Sequence, residues 1–248
     1  MAEKEGRVDR AVGIIPARYA STRFPGKPLA PILGKPMIRW VWEGARRSKR
    51  VTRLIVATDD ARIFDAARAF GAEAAMTSAD HASGTDRAAE VAARLDAEVI
   101  VNIQGDEPLL DGTMLDGLAA AFDDPALEMA SLMAKVTDVR LIGDENVVKV
   151  VVDARGEALM FSRSPLPRGA SDFFYQHIGI YAYRKDFLLG LKSLPPSRLE
   201  RIERLEQLRV LENGYRIRMI EVPRPTLSVD TPQDIIPVEE FIKARSHE

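Results

Sequence analysis

The sequence predicts an α/β fold in which a mostly parallel central sheet is flanked by helices and extended by an antiparallel segment. Short apolar runs at 11–15, 53–58 and 73–76 alternate with amphipathic segments, as in βαβ units. The run at 98–104 is the most apolar of the chain and is predicted to be a buried central strand. Beyond residue 136 strands follow one another closely, and this spacing predicts the antiparallel segment.

Prolines, glycines and capping residues mark the elements of the first half. Pro16 is predicted to end the first strand, and Pro36 suits the first turn of the helix that follows. Asp60 is expected to cap the next helix, which Gly71 ends. The elements predicted here are helices at 37–48, 61–70 and 111–122 and a strand at 128–136.

The second half is predicted to begin with a hairpin and to end with a helix. Residues 154–156 form the short connection of the hairpin, Gly214 ends a helix, and Thr231 caps the terminal helix, which starts at Pro232. The apolar spacing at 199, 202, 205, 208 and 211 predicts one continuous helix. The predicted elements are hairpin strands at 146–153 and 157–163, strands at 175–184 and 215–222, and a helix at 199–211.

Composition restricts the class of protein. The chain has 248 residues, a net charge of −2, no cysteine and three histidines. These numbers exclude disulfides and thiolate chemistry, and they argue against a histidine-built zinc site and a nucleic-acid-binding surface. The N-terminus is charged and the first apolar run is too short for a signal peptide or a membrane span. We therefore expect a cytoplasmic protein.

A basic loop follows the first strand and carries Arg18, Ser21, Arg23 and Lys27. Loops at the carboxyl ends of strands collect ligands in α/β sheets, and these cations match the charge of a triphosphate. The alternative is a solvated loop in which Pro25 and Gly26 only make turns. The loop lacks the Walker A pattern, and no GxGxxG motif follows a strand elsewhere.

Asp106 is a candidate magnesium ligand by its place in the predicted sheet. Asp106 follows the central strand in the motif QGDEP, where a carboxylate would face the same crevice as the basic loop. Asp230 precedes the terminal helix in the motif VDTP. Turn chemistry is the alternative for Asp106, and helix capping is the role that its position suggests for Asp230. Glu107 is expected to point away from the site.

For several other side chains a structural role and a functional role are weighed. Ser83 is expected either to cap a helix, with Asp86 three residues later, or to form part of a base pocket. His81 is expected to be structural. Lys149, inside a valine-rich strand, is predicted to protect a sheet edge rather than to be a site cation. Arg163, at the end of the second hairpin strand, is a candidate for contact with an acidic ligand.

The strand at 175–184 and the helix at 199–211 are further candidates. His177 and Tyr181 alternate onto one face of the strand, where a regular strand would separate their polar tips by about 13–14 Å. The charges of the predicted helix pair at i,i+3 and i,i+4, which is typical of a solvated face.

Six separated motifs resemble the 3-deoxy-manno-octulosonate (KDO) cytidylyltransferases, also called CMP-KDO synthetases. In chain order they are IIPARYASTRFPGKPL, HASGTDR, QGDEP, HIGIY, LEQLR and VDTP. The resemblance implies a GT-A-like nucleotide-diphospho-sugar transferase fold. It implies one nucleotidyltransferase domain over 9–248, with a nucleotide-binding part at about 9–136, a sugar-binding and dimer part at about 146–226, and a terminal helix at about 231–246.

The same resemblance implies the reaction: CTP and KDO give CMP-KDO and pyrophosphate with Mg²⁺, for lipopolysaccharide biosynthesis, in a homodimer. The implied nucleotide-binding residues are Arg18, Ser21, Arg23, Lys27, Ser83, Gly84, Gln104 and Asp106. The implied sugar-binding residues are Arg163, His177, Tyr181, Glu206 and Gln207. The implied metal ligands are Asp106 and Asp230, and the implied catalytic residues are Arg18, Lys27, Asp106 and Asp230.

The sequence departs from the family pattern in two places: the segment 167–177 is short, and Ser228 stands where many relatives have glycine. Two alternatives to the predicted function remain open at this point. One is the same reaction on a related acid sugar, 8-amino-KDO or sialic acid. The other is a nucleotide-binding module without turnover, against which the two retained aspartates argue.

Overall fold

The structure is a computed structural model that describes residues 9–21, 23–170 and 172–245. Its strands are β1 (Asp9–Ala17), β2 (Pro31–Ile32), β3 (Lys35–Pro36), β4 (Arg53–Thr58), β5 (Glu73–Met76), β6 (Ala97–Asn102), β7 (Met129–Val136), β8 (Lys149–Val152), β9 (Ala158–Ser162), β10 (Phe174–Arg184) and β11 (Arg218–Val222). Its helices are α1 (Met37–Ala45), α2 (Ala61–Ala69), α3 (Gly84–Ala92), α4 (Gly112–Ala120), α5 (Lys185–Leu191), α6 (Arg198–Glu203), α7 (Gln207–Glu212) and α8 (Ile235–Arg245).

One mixed sheet runs through the protein in the order β11-β7-β10-β6-β1-β4-β5. Strands β6, β1, β4 and β5 run parallel to one another, and β11 runs parallel to β7. Strand β10 is antiparallel to β6, β7 and β8, and β8 forms a hairpin with β9. The predicted fold class is therefore confirmed, with β10 inserted between the parallel groups.

Alternating side chains of the sheet bury two hydrophobic layers, because successive residues of a strand face opposite sides. Ile15 packs with α1, α2 and α4 on one face. Ile14 packs with α3, α5 and α7 on the other. A smaller cluster joins the β2–β3 hairpin to α8 through Ile32 and Val238. Of the helices in the described part of the chain, none is both long and apolar enough to span a bilayer.

The first strand is longer than predicted, because Pro16 lies inside β1 and pairs with Ala57 of β4. The ladder between β1 and β6 ends at Ile14 and Asn102. Pro16, which has no N–H to donate, therefore has only β4 as a neighbouring strand. The prediction that Pro16 ends the strand is wrong by two residues. Both β4 and β5 have the predicted bounds.

The continuous helix predicted over 199–211 is wrong. Helix α6 ends after Glu203, where Arg204 adopts the left-handed conformation with φ 55°. Helix α7 then begins at Gln207. Although the helix is interrupted, the apolar residues Leu205 and Leu208 are both buried in the second hydrophobic layer, as their spacing predicts. The break turns the residues after Arg204 toward the sheet.

Lys149 does not protect an edge, contrary to the prediction, because its side chain is completely buried. Its Nζ donates to the backbone carbonyls of Asp144, Val147 and Arg163. Burial lowers the pKa of this ammonium, although nearby Asp144 opposes the shift. Lys149 therefore ties the segment before β8 to the end of β9.

Candidate active site

A basic cavity of about 260 Å³ lies where β1 and β6 end, at the same edge of the parallel sheet. Parallel strands present their following loops on one side, which is why segments far apart in sequence meet here. Its charged lining consists of four cationic side chains, Arg18, Arg23, Lys27 and Arg87, and two carboxylates, Asp106 and Asp230. It is also lined by Ser21, His81, Ser83, Gly84 and Gln104. The excess of positive charge suits a polyanion.

The loop after β1 is folded back by Gly26, whose φ of +71° favours glycine. The Gly26 N–H donates to the Tyr19 carbonyl at 2.9 Å. A side chain at position 26 would also meet the Tyr19 ring at about 3.1 Å. This turn sends the next residue, Lys27, toward the end of β6. The Ser21 hydroxyl accepts from the Phe24 N–H within the same loop, at 3.3 Å.

Lys27 joins the two aspartates of the cavity. Its Nζ lies 2.6 Å from Oδ2 of Asp106 and 3.7 Å from Oδ1 of Asp230, and it donates to the Val229 carbonyl at 2.9 Å. Arg23 donates to Asp230 Oδ1 at 2.8 Å. Thr231, not Asp230, caps the terminal helical segment, so the capping interpretation of Asp230 finds no support here.

Helix α3 brings its N-terminus to the cavity. Ser83 is the N-cap and accepts from the Asp86 N–H at 3.1 Å, so the predicted capping role is present. Because Ser83 and Gly84 also line the cavity, capping and ligand contact are compatible. His81 is partly buried and pairs with Glu90 at 2.6 Å.

Arg87 is a cavity residue that sequence reasoning did not select. It is 3% exposed, lies 3.3 Å from the Asp59 carboxylate, and donates to the Thr77 hydroxyl and the Ser78 carbonyl. The signal that could have found it is its place in the quoted motif HASGTDR.

Glu107 faces away from the basic cavity into the protein. Burial, and then the nearby Asp106 charge, raise the pKa of Glu107 to about 8. Its side chain hydrogen-bonds Thr226, while its Oε2 atom has no hydrogen-bond partner among the residues that the structure describes. Glu107 therefore points away from the basic cavity, as predicted, and is buried behind Asp106.

An aromatic cavity of about 250 Å³ adjoins the basic cavity and shares Gly84 and Gln104 with it. Strand β10 contributes Tyr181 and Tyr183, the break between α6 and α7 contributes Glu206, and the start of α7 contributes Gln207. Its remaining lining is Thr85, Met129, Leu191, Arg204, Leu205 and Val210. Sequence reasoning missed Thr85, Tyr183 and Arg204 of this cavity. It missed Arg204 because a continuous helix over 199–211 would not have placed this residue in the lining.

Glu206 lines the aromatic cavity and hydrogen-bonds residues at the N-terminus of α3. The hydroxyls of Thr85 and Ser83 hydrogen-bond its carboxylate. Burial raises the pKa of Glu206, and these two hydrogen bonds oppose the shift. The hydrogen bond from Ser83 therefore connects Glu206, which lines the aromatic cavity, to the N-terminus of α3, which lines the basic cavity.

His177 and Tyr181 lie much closer together than the predicted 13–14 Å, because β10 contains an irregularity. Its register against β7 shifts between Ile178 and Tyr181. The two rings are 5.5 Å apart, and both side chains reach the Gln207 amide. His177 is 8% exposed and is absent from the lining of both cavities. It lies behind Gln207.

Arg163 is also absent from the lining of both cavities. Its guanidinium donates to the backbone carbonyls of Glu203 and Glu145, at 3.1 and 2.9 Å. The Glu203 carboxylate in turn accepts from the Arg163 N–H and the Ser162 hydroxyl, each at 2.9 Å. Arg163 thus holds the end of α6 against the end of β9, just before the helix break.

Comparison with known proteins agrees with this architecture. The family model described as Cytidylyltransferase matches residues 12–217. The chain is 52% identical over 243 residues to the 3-deoxy-manno-octulosonate cytidylyltransferase of Syntrophotalea carbinolica, covering 93% of this chain and 97% of that protein. It is 53% identical over 235 residues to the enzyme of the same name from Syntrophobacter fumaroxidans, covering 91% and 94%.

A solved structure is similar over nearly the whole fold. It is a CMP:2-keto-3-deoxy-manno-octonic acid synthetase complexed with CTP, with a TM-score of 0.90 and 44% identity. The match covers 95% of this chain and 99% of that chain. The likeness therefore extends over nearly the whole chain.

Proposed function

The chain belongs to the cytidylyltransferase family, and from that premise we propose that it transfers a cytidylyl group from CTP to KDO, giving CMP-KDO and pyrophosphate. The family match and the close relatives, which carry the name 3-deoxy-manno-octulosonate cytidylyltransferase, support this reaction. The single structural observation that carries it is the pair of adjoining cavities, one basic and one aromatic, that share Gly84 and Gln104.

We assign CTP to the basic cavity. Arg18, Arg23 and Lys27 supply the positive charge that a triphosphate requires. The N-terminus of α3, where Ser83 and Gly84 line the cavity, suits the polar edge of a base. Gln104 lies between the two cavities and can reach the nucleotide there.

We assign KDO to the aromatic cavity. Tyr181, Glu206 and Gln207 provide hydroxyl, carboxylate and amide groups, which can bind the hydroxyls of a polyol. The ring faces of Tyr181 and Tyr183 provide apolar walls. Because the two cavities adjoin at Gly84, a sugar bound here would lie beside a nucleotide bound in the basic cavity.

We further propose that Asp106 and Asp230 hold Mg²⁺ together with the nucleotide phosphates. Their carboxylates already converge on one cation, the Lys27 ammonium. Among the described residues, no group of three or more His, Cys, Asp or Glu side chains is arranged to hold a metal ion. Two carboxylates suit Mg²⁺, which usually retains waters and binds substrate phosphates. When bound, the ion polarises the phosphate and lowers the pKa of a coordinated hydroxyl.

In the proposed reaction the anomeric hydroxyl oxygen of KDO forms a bond to the α-phosphorus. The bond from the α-phosphorus to the bridging oxygen breaks, pyrophosphate leaves with its electron pair, and the hydroxyl proton passes to solvent. Arg18, Arg23 and Lys27 neutralise the charge that develops on pyrophosphate. Glu206, Gln207 and Tyr181 orient the sugar, so positioning supplies much of the rate.

The remaining proposals follow from the family. We propose that the enzyme supplies lipopolysaccharide biosynthesis in the cytoplasm and works as a homodimer. A related acid sugar, 8-amino-KDO or sialic acid, is the alternative acceptor. A nucleotide-binding module without turnover is the alternative of a different class.

The test is product formation from CTP, ATP, GTP and UTP in turn, with KDO and Mg²⁺. We expect CMP-KDO, identified by its mass, and stoichiometric pyrophosphate from CTP in clear preference to the other nucleotides. Reactions without KDO, and with 8-amino-KDO or sialic acid, are the controls for the acceptor. Equal turnover of ATP or UTP would refute the cytidylyl assignment, and CTP binding without turnover would favour the non-catalytic module.

A further inference from the structure

Ser131 is a completely buried residue of β7 that lines neither cavity, yet it contacts the irregular part of β10. Its hydroxyl oxygen lies 3.0 Å from the Ile180 carbonyl and 3.3 Å from the Ile178 carbonyl. The same oxygen lies 2.9 Å from His177 Nε2. One serine hydroxyl thus meets two carbonyl oxygens and a ring nitrogen.

The position of the single hydroxyl proton follows from these contacts. A serine hydroxyl has one proton to donate and two lone pairs, whereas a carbonyl oxygen can only accept. If the proton pointed at His177, the serine lone pairs would face two carbonyl oxygens at 3.0 and 3.3 Å, a repulsive arrangement. The Ser131 hydroxyl therefore donates to the Ile180 carbonyl, and its oxygen accepts from His177 Nε2–H.

The tautomer of His177 follows from this hydroxyl. Burial lowers the pKa of His177 to about 3, so the ring is neutral at ordinary pH. A neutral ring with its proton on Nε2 has a lone pair on Nδ1. Nδ1 lies 3.5 Å from the Gln207 amide nitrogen, which is the longest hydrogen bond of the chain of contacts. Nδ1 must accept from that nitrogen, because it has no proton.

The orientation of the Gln207 amide is the next consequence. With its nitrogen toward His177, the amide oxygen accepts from the Tyr181 hydroxyl at 3.3 Å. Gln207 then has one N–H engaged by His177 and a second N–H that remains for the aromatic cavity. In the opposite orientation the amide nitrogen would face Tyr181 and the oxygen would face a lone pair of His177.

We propose that Ser131 is a positioning residue that sets the Gln207 amide through His177, so that Gln207 presents an N–H donor to the sugar. The inference rests on the proposed function, since KDO is the ligand assigned to the aromatic cavity. A donor at this place suits the carboxylate of an acid sugar or a sugar hydroxyl oxygen. His177 acts here through Gln207 rather than by touching the sugar.

The first test is the tautomer of His177 in the wild-type protein, measured by NMR on a sample with ¹⁵N-labelled histidine. A His177→Gln variant identifies the signals of this ring among the three histidines. We expect a protonated Nε2 and an unprotonated Nδ1. A proton on Nδ1 would overturn the proposal. This measurement does not depend on turnover, so it remains decisive even if the proposed function fails.

The second test compares Ser131→Ala with a matched loss of another buried serine hydroxyl, Ser48→Ala. Ser48 is 8% exposed, lies in the connection between α1 and β4, and donates to Asp116 at 2.6 Å. We expect Ser131→Ala to raise the KM for KDO by about 3- to 10-fold with the KM for CTP unchanged, as for the loss of one or two hydrogen bonds. Ser48→Ala should lower thermal stability and leave both KM values unchanged.

A third variant, Gln207→Glu, tests the direction of the amide. A carboxylate at 207 would face the Nδ1 lone pair of His177 and the acid sugar, so we expect a larger rise in the KM for KDO than in Ser131→Ala. The opposite orientation predicts a mild effect, because a carboxylate oxygen would accept from Nδ1–H and from Tyr181. An unchanged KM for KDO in both variants would refute the positioning role.

Discussion

The Lys27 ammonium lies between the Asp106 and Asp230 carboxylates, 2.6 Å from Oδ2 of the first and 3.7 Å from Oδ1 of the second. These aspartates are 124 positions apart, yet the loop after β1 and the ends of β6 and β11 bring them to one side chain. Lys27 therefore neutralises two carboxylates that would otherwise repel each other and a triphosphate. The two carboxylates and the triphosphate of the proposed phosphate site therefore all depend on the charge of Lys27.

Replacement of Lys27 by methionine tests this dependence. Lys27→Met removes the charge but keeps most of the side-chain volume. We expect kcat/KM for CTP to fall by about 100-fold or more, as when one electrostatic group of a preorganised site is removed. Lys35→Met is the matched control, because Lys35 pairs with Glu43 outside the basic cavity. Similar kinetics for the two variants would contradict the assigned role of Lys27.

Isosteric replacement of each aspartate tests the proposed metal site. Asp106→Asn and Asp230→Asn keep the shape of the site and remove one negative charge each. We expect turnover to fall by orders of magnitude at ordinary Mg²⁺ and to recover partly at high Mg²⁺, measured as kcat against Mg²⁺ concentration. If Asp230 had only a capping role, Asn would replace it with little loss. Near-native activity of Asp230→Asn at ordinary Mg²⁺ would leave a site with one carboxylate.

The buried His177 predicts a pH-dependent part of the stability. Its folded pKa of about 3 lies below the ordinary value of 6.5, because burial disfavours the charged ring. The neutral folded ring is therefore fully favourable above pH 6.5, and stability is lost as the pH falls from 6.5 toward 3. The loss is at most about 1.4 kcal/mol per pH unit. We expect the unfolding free energy of His177→Gln to depend less steeply on pH in this window, as measured by urea denaturation. Equal slopes would contradict the assignment.

Lys149 predicts an effect on stability without a direct effect on chemistry. Lys149→Met would leave three buried carbonyls without their ammonium donor, so we expect the unfolding free energy to fall by at least about 2 kcal/mol. Lys135→Met is the matched control, because Lys135 is exposed on β7 with its Nζ 4.2 Å from the centroid of the Phe173 ring. That contact is worth less than about 1 kcal/mol. A loss of equal size in both variants would contradict the buried role.

Local signals predicted the elements that depend on local chemistry. Apolar runs bounded by turn residues gave β4 and β5 their correct bounds, and Asp60 caps α2 as predicted, by accepting from the Arg62 N–H. The basic loop and Asp106 were also correctly expected to face one crevice, because parallel strands present their loops on one side. Asp230 was expected at the site only from the family resemblance.

Two features of the site that depend on tertiary contacts could not be predicted from the sequence. The spacing of apolar residues at 199–211 fits a continuous helix, and nothing local marks Arg204 as the residue that turns out of it. The irregularity of β10 likewise lies in its pairing with β7, where it contacts Ser131, 47 positions before Ile178. A regular strand would have separated His177 from Tyr181, so the contacts of both side chains with Gln207 were not predictable.

The terminal helix and the domain bounds could be predicted only in part from the sequence. The structure begins the last segment at Pro232 with Thr231 as its cap, as expected, but a short 3₁₀ turn precedes α8. Residue 246, where we expected the helix to end, lies outside the described residues. The predicted division into nucleotide-binding and sugar-binding parts stays a prediction.

The most direct test of the account follows the oxygen of the attacking hydroxyl. KDO is equilibrated in ¹⁸O-labelled water so that its anomeric hydroxyl carries the label, and the reaction with CTP and Mg²⁺ is run in the same water. If that hydroxyl attacks the α-phosphorus, mass spectrometry will find ¹⁸O between sugar and phosphorus in CMP-KDO and none in the pyrophosphate. Unlabelled CMP-KDO, or label in the pyrophosphate, would contradict the account.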